Sequence, residues 1–143
     1  MCGLSLGGIL ALNYTLDYPE KVKTLVLIGT PHKIPKILFF IQNIAFRFLP
    51  RSIFENTAFN KKDMFAFGKS IKNLDFNDRL KNVKYPTLII CGKKDSANIK
   101  SAYYFEKNIN DAKLITMERI GHVVNEESPK ELAKELNEFY QFG

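Results

Sequence analysis

A serine lies between two glycines almost at the start of the chain, in segment 3–8, which reads Gly-Leu-Ser-Leu-Gly-Gly. This G-x-S-x-G spacing is typical of a sharp turn between a strand and a helix, because glycine has no Cβ to obstruct a tight bend. Such a turn exposes the hydroxyl of Ser5. The backbone N–H of Leu6, at the start of the following helix, would point at a carbonyl oxygen that gains charge. The spacing predicts a nucleophilic serine with one oxyanion donor, although a single match of this kind also arises by chance.

Two further residues could activate this serine, and each follows a predicted strand. Asp95 ends the turn Gly-Lys-Lys-Asp after the apolar run 86–92, and His122 follows a glycine after the run 113–117. In an open parallel sheet the working residues lie just beyond the carboxyl ends of the strands. His122 would take the proton of Ser5 and pass it to the leaving group, while Asp95 would hold the imidazole in the correct tautomer. Alone, the aspartate is a common turn residue and the histidine an ordinary loop residue. Their order along the chain favours a Ser-His-Asp triad.

The elements that must position these residues alternate between short apolar runs and helical segments. A continuous apolar run that ends in glycine is typical of a buried parallel strand, and strands that alternate with helices predict an α/β fold with a parallel sheet. The predicted strands are 23–29, 86–92 and 113–117, and the predicted helices are 6–18, 99–110 and 128–140.

A long stretch rich in phenylalanine interrupts this alternation at residues 31–84. Prolines open it, and apolar helical patterns follow, which predicts a helical insertion. The domain organisation expected from the sequence is therefore a core built from 1–30 and 85–143, with a cap formed by 31–84. An ordinary packed helical layer is one interpretation of this insertion, and a lid over an apolar pocket is the other.

If the insertion is a lid, Phe39, Phe40 and Val123 are the residues we expect to line the substrate pocket. A weaker hypothesis is that the apolar helical segment at 34–49 binds to a lipid surface. His32, the other of the two histidines, follows the first predicted strand. A surface position is favoured for it, and contact with the substrate is the alternative.

Composition narrows the class of protein. The 143 residues suit one domain, and 45% hydrophobic with 25% charged residues is a globular composition rather than a disordered one. The net charge of +6 comes from scattered lysines, so a solvated surface is favoured over a nucleic-acid partner. No apolar run reaches the length of a membrane span, so no membrane partner is expected.

The two cysteines, Cys2 and Cys91, are too few for a disulfide scaffold and do not form a metal-ligand pair. Cys91 ends an apolar run and is most simply a buried thiol. We therefore expect no metal and no cofactor, and a reducing, cytoplasmic setting.

The motifs together resemble those of the α/β-hydrolase fold family. The resemblance rests on the serine turn at 3–8, Gly-Lys-Lys-Asp at 92–95, Gly-His at 121–122 and Tyr-Pro-Glu-Lys-Val-Lys at 18–23, and it covers essentially the whole chain. It implies a three-layer fold with a helical cap, a nucleophile at position 5, an acid at 95 and a general base at 122. Small esterases, lactonases and carbon–carbon hydrolases are the most similar group.

The chain departs from that family at its N-terminal side. The family has about five strands before the serine turn, together with an early loop, often with a His-Gly pair, that supplies a second oxyanion donor. The resemblance therefore implies the C-terminal part of a hydrolase, truncated at the N-terminus. Loss of one oxyanion donor typically costs about 10²–10³ in turnover.

Two functions follow as expectations. The first is a serine hydrolase that acts on small-molecule carboxylic esters or related acyl compounds. The second is a non-catalytic, truncated remnant that folds or self-associates through an exposed sheet edge, since an unpaired strand offers free backbone groups and apolar surface to another chain.

Overall fold

The computed structural model describes residues 1–33, 66 and 75–141. In this part of the chain four parallel strands form one sheet, and their spatial order β1-β2-β3-β4 is also their order in sequence. The strands are β1 (Cys2–Leu4), β2 (Leu25–Ile28), β3 (Thr87–Gly92) and β4 (Ala112–Met117). The α-helices are α1 (Leu6–Asp17), α2 (Ile99–Asn108), α3 (Val124–Glu127) and α4 (Pro129–Gln141), with single 3₁₀ turns at Pro19–Lys21 and Leu80–Asn82. The predicted parallel α/β architecture is confirmed.

The register of the sheet brings the carboxyl ends of its strands to one edge. Leu4 pairs with Ile28, Ile28 with Ile90, and Ile90 with Ile115. Every residue of β2 and β3 is buried, as their continuous apolar sequences predict for strands covered on both faces. Loops that follow β1, β3 and β4 therefore begin as neighbours.

Helices cover both faces of the sheet. The connections β1-α1-β2 and β3-α2-β4 run in the same direction, so the right-handed crossover rule assigns α1 and α2 to one face. On the other face, Leu132, Leu136 and Phe139 of α4 pack against apolar strand residues. Those strand residues are Leu4, Val26, Ile28, Leu88, Ile90, Ile115 and Met117. The result is a three-layer arrangement of helix, sheet and helix.

Residues 33–75 form a second compact unit, separate from the unit made of 1–32 and 76–143. Of this second unit the structure describes Lys33, Ala66 and Asp75, and the backbones of Lys33 and Asp75 form an antiparallel bridge. Phe76, which the sequence grouped with the insertion, is only 2% exposed and belongs to the unit that contains the sheet. The lid role predicted for 31–84 stays a prediction.

Helix α1 offers a matched pair of leucines for testing this packing. Leu12 is fully buried, whereas Leu10 is 54% exposed. We expect Leu12→Ala to lower the free energy of unfolding by about 2–5 kcal/mol, because the truncation leaves a cavity in the core. Leu10→Ala should change it by no more than about 0.5 kcal/mol. Urea unfolding of both variants measures the difference, and equal losses would contradict the assigned orientation of the helix.

Candidate active site

Ser5 occupies the turn between β1 and α1 in a strained backbone conformation. Its φ is 52° and its ψ is −111°, a region that residues with a side chain rarely adopt. The backbone N–H of Ser5 donates to the carbonyl of Ile28 at 2.7 Å, which fixes the turn to the end of β2. Serine at the start of a helix often caps it, but the Ser5 side chain makes no capping hydrogen bond. Its hydroxyl is therefore left for another partner.

Gly3 allows this turn to close. A Cβ at position 3 would lie 2.2 Å from the backbone carbon and oxygen of Gly7, a separation that real Cβ atoms do not show. Strand β1 and the first turn of α1 can approach this closely only because residue 3 has no side chain. The glycine that precedes the serine is thus required by sterics.

His122 connects the serine to the aspartate. Its Nε2 lies 2.9 Å from Ser5 Oγ, and its Nδ1 lies 2.7 Å from Asp95 Oδ2. Because a carboxylate only accepts hydrogen bonds, Nδ1 carries the proton that is donated to Asp95, and Nε2 is left to accept from the serine hydroxyl. The three residues predicted from the sequence are therefore brought together in one hydrogen-bonded line.

Burial differs sharply along this line. The side chain of Asp95 is 4% exposed, whereas that of His122 is 40% exposed. The carboxylate is shielded from water, which strengthens its interaction with the imidazole. The imidazole remains accessible to a molecule that approaches Ser5.

Gly29, at the end of β2, lies directly against the His122–Asp95 pair. Its φ is +51°, and a Cβ there would lie 3.2 Å from His122 Nδ1 and 3.4 Å from Asp95 Oδ2. A side chain at this position would be strained and would also crowd the pair. The sequence analysis identified this glycine only as the end of a strand.

Glu127 fixes the backbone on both sides of His122. One of its carboxylate oxygens accepts from the N–H of Gly121 at 2.7 Å, and the other accepts from the N–H of Val123 at 3.3 Å. The loop that carries His122 is therefore clamped to α3. Sequence reasoning missed both this short helix and its glutamate, because a four-residue helix has too few positions for a periodic signal.

Asn98 is the second residue that sequence reasoning missed. Its side-chain amide nitrogen lies 3.0 Å from Asp95 Oδ1 and 2.9 Å from Asp95 Oδ2. The only signal in the sequence is its position three residues after the aspartate, where many residue types occur in turns.

The remaining predicted site residues have mixed outcomes. Leu6 begins α1, where backbone N–H groups lack intrahelical acceptors, so its N–H is available as an oxyanion donor. Val123 is half-buried beside His122, whereas Phe39 and Phe40 lie outside the described residues. The predicted pocket stays a prediction.

His32 differs from the exposed position that the sequence favoured. It is half-buried, its Nδ1 lies 2.9 Å from Ser101 Oγ, and its ring stacks on Tyr104 with 4.4 Å between the ring centroids. The reason is that the chain leaving β2 passes beside α2, whose Tyr104 offers an aromatic face.

Neither a metal centre nor a cysteine nucleophile emerges from the described residues. Among them, no group of three His, Cys, Asp or Glu side chains is arranged to hold a metal ion. Burial, and to a lesser extent the nearby Asp95 carboxylate, raises the pKa of the Cys91 thiol to about 11. The thiol therefore stays protonated at neutral pH, which makes it a poor nucleophile.

Comparison with known proteins agrees with this geometry. A family model described as the alpha/beta hydrolase fold matches residues 1–60. The crystal structure of a hydrolase from Pseudomonas aeruginosa PA01 superimposes with a TM-score of 0.84 at 21% identity, over 97% of this chain and 63% of that one. The chain has the α/β-hydrolase fold.

Two relatives of this α/β-hydrolase-fold chain are enzymes of known type. Monoacylglycerol lipase ABHD6 of Mus musculus is 24% identical over 160 residues, which cover 97% of this chain and 47% of the lipase. Pimeloyl-[acyl-carrier protein] methyl ester esterase of Wigglesworthia glossinidia brevipalpis is 27% identical over 130 residues, which cover 66% of this chain and 50% of the esterase. The chain thus spans about half the length of these relatives.

Two glycines of the serine turn give opposite predictions. Gly3→Ala should lower the free energy of unfolding by about 1–3 kcal/mol, because the new methyl group collides with the backbone of α1. A Cβ at Gly7 would meet nothing within 4 Å, so Gly7→Ala should raise it by about 0.5–1 kcal/mol through helix propensity. Thermal unfolding of both variants measures the sign of each change in the free energy of unfolding. A stabilising Gly3→Ala would contradict the close approach of β1 to the first turn of α1.

Proposed function

We propose that this chain carries the catalytic triad of a serine hydrolase that acts on small-molecule carboxylic esters or related acyl compounds. The observation that carries the proposal is the continuous line from Ser5 Oγ through both nitrogens of His122 to the buried Asp95 carboxylate. The roles are nucleophile for Ser5, general base and acid for His122, and orienting carboxylate for Asp95.

In the first step Ser5 Oγ attacks the acyl carbon of the substrate. His122 Nε2 accepts the hydroxyl proton as the new C–O bond forms, and Asp95 stabilises the resulting imidazolium. The negative charge that develops on the carbonyl oxygen is met by the backbone N–H of Leu6 at the positive end of α1. The imidazolium then protonates the alkoxide leaving group as the ester bond breaks, which leaves an acyl-serine.

In the second step water takes the place of the leaving group. His122 accepts a proton from the water, whose oxygen attacks the acyl-serine. The proton then returns to Ser5 Oγ as the acid product leaves. The histidine has the same protonation state at the end of the cycle as at the start.

The named relatives support this class of reaction. One is a lipase and the other is a methyl ester esterase, and this chain carries the serine, histidine and aspartate that such chemistry needs. The substrate class proposed here follows from the triad and these relatives together.

We also propose that the insertion within 31–84 forms a helical cap, that 1–30 and 85–143 form the core, and that Phe39, Phe40 and Val123 line the substrate pocket. The bridge between Lys33 and Asp75 supports an insertion, because it holds the two ends of 33–75 side by side.

The unpaired Cys2 and Cys91 support a reducing, cytoplasmic setting. None of the helices in the described ranges combines the length and apolar character that a membrane crossing needs.

Labelling by a fluorophosphonate probe tests the proposed nucleophile. We expect the probe to label the wild-type chain at Ser5, because the hydroxyl is activated by His122. Ser5→Ala should abolish both labelling and the hydrolysis of a short-chain nitrophenyl ester. Ser128→Ala is the matched control, since the hydroxyl of Ser128 contacts the Glu131 carboxylate instead. Ester turnover retained by Ser5→Ala would refute the proposal.

A second candidate function is association of two copies of the chain through β1. In this alternative the assembly is non-catalytic. In the described part of the chain β1 pairs with β2 alone, so the other side of this strand offers backbone donors and acceptors. Met1, which directly precedes β1, and Leu6 and Leu10 of α1 are 47%, 38% and 54% exposed. Exposed apolar side chains favour self-association.

Charge placed beside this edge tests the second candidate. We expect the wild-type chain to form a concentration-dependent dimer in sedimentation velocity, and Leu10→Lys to shift the equilibrium towards monomer at least 10-fold because it places a charge in the apolar contact. Tyr103→Lys is the control, since Tyr103 is 52% exposed on α2. A wild-type chain that is monomeric at every concentration would exclude this function.

A further inference from the structure

The carboxylate of Asp95 receives most of its hydrogen bonds from one residue that the mechanism above does not use. Oδ1 accepts from the backbone N–H of Asn98 at 3.2 Å and from its side-chain Nδ2 at 3.0 Å. Oδ2 accepts from the same Nδ2 at 2.9 Å and from His122 Nδ1 at 2.7 Å. Asn98 is 9% exposed and Asp95 is 5% exposed, so little water competes for these contacts.

The orientation of the Asn98 amide is fixed by charge. Its Nδ2 faces both oxygens of a carboxylate, and a rotated amide would place its carbonyl oxygen against that negative charge. Nδ2 also lies 3.2 Å from His122 Nδ1. Since both nitrogens direct hydrogens to Asp95 Oδ2, the two share one acceptor, and the amide packs beside the imidazole.

The side chain of Asn98 does not perform the structural task expected at its position. Asn98 is the N-cap residue of α2, where an asparagine ordinarily accepts a hydrogen bond from a backbone N–H of the first helical turn. Here it makes no side-chain capping bond. The amide turns away from its own helix towards the aspartate instead, so helix capping does not explain it.

We propose that Asn98 is a positioning residue that holds the Asp95 carboxylate in the orientation required by His122. The inference rests on the proposed function of the triad. Rotation of the carboxylate about its χ2 bond would carry Oδ2 away from the imidazole, and the two contacts from Nδ2 oppose that rotation. The imidazole in turn stays in the tautomer that leaves Nε2 free to accept the proton of Ser5.

Loss of the amide should act on the His122–Asp95 hydrogen bond first and on catalysis through it. Asn98→Leu retains a similar volume and the backbone N–H but removes both contacts from Nδ2. We expect kcat to fall about 10- to 100-fold, as small displacements of a catalytic group do, with KM changed by less than about 2-fold because Asn98 binds no substrate in this proposal.

Proton NMR of the full 143-residue chain provides a readout that does not depend on turnover. The His122 Nδ1 proton, held by a buried carboxylate, should give a strongly deshielded resonance in the wild type. The chain has two histidines, so His32→Gln, which should retain the signal, assigns it. In Asn98→Leu the resonance should move upfield or broaden beyond detection.

Two further variants separate positioning from folding. Asn98→Ser retains a residue favoured at the start of a helix but lacks Nδ2, so it should retain the fold and still lose the deshielded resonance. Asn108→Leu removes an amide on the same helix that donates to the Tyr104 carbonyl at 2.7 Å, and it should retain both the resonance and kcat.

The outcomes distinguish the two proposals. An unchanged resonance together with kcat within 2-fold in folded Asn98→Leu or Asn98→Ser would overturn the role of Asn98 and leave the hydrolase proposal intact. A wild-type chain that shows the resonance and loses it in these variants, yet is not labelled at Ser5, would support the positioning role and refute the hydrolase. An equal loss of the signal in Asn108→Leu would identify a general effect of destabilising α2 and would also overturn the inference.

Discussion

The structure depends on one imidazole that is hydrogen-bonded at both nitrogens. His122 contacts a serine 117 residues away in sequence and an aspartate 27 residues away, so its position is correct only if three loops meet. A parallel sheet meets this condition because the carboxyl ends of all its strands lie at one edge. The wholly buried β2 and β3 form the rigid centre of that sheet, and the flanking loops carry the polar residues. The buried strands thus provide the packing, and the loops that follow the strands provide the polar residues of the site.

Strain at the serine turn is the local cost of this arrangement. A backbone conformation such as that of Ser5 costs about 1–3 kcal/mol, and it persists because its surroundings leave no alternative. The N–H of Ser5 is bonded to β2, and Gly3 permits the close contact with α1. The apolar core beneath supplies the stability that offsets the strain. A serine in relaxed turn geometry would not present its hydroxyl to His122 in this way.

The residues of the triad and the residues that restrain them differ in how deeply they are buried. Asp95 is the most buried member, and its carboxylate is restrained by Asn98. His122 is half-exposed, and its loop is held through backbone groups by Glu127, which itself lies at the surface. Groups that must not move are therefore enclosed, whereas the groups that would meet a substrate remain accessible. The restraining residues come from the N-cap position of α2 and from α3, which adjoin the two loops.

The sequence by itself determined strands β2 to β4, helices α1, α2 and α4, the parallel sheet and the three residues that form the hydrogen-bonded line, because apolar periodicity and glycine spacing are local properties of the chain. The strand β1 and the short helix α3 were not predicted. Helix α2 was predicted at 99–110 and is observed at Ile99–Asn108, a difference confined to its end. Only the tertiary structure decided that Asn98 turns from its helix to Asp95, that Glu127 clamps the histidine loop and that His32 stacks on Tyr104. Each of these contacts joins side chains whose directions depend on loop conformation and on neighbours from other elements, and no local pattern in the sequence encodes them.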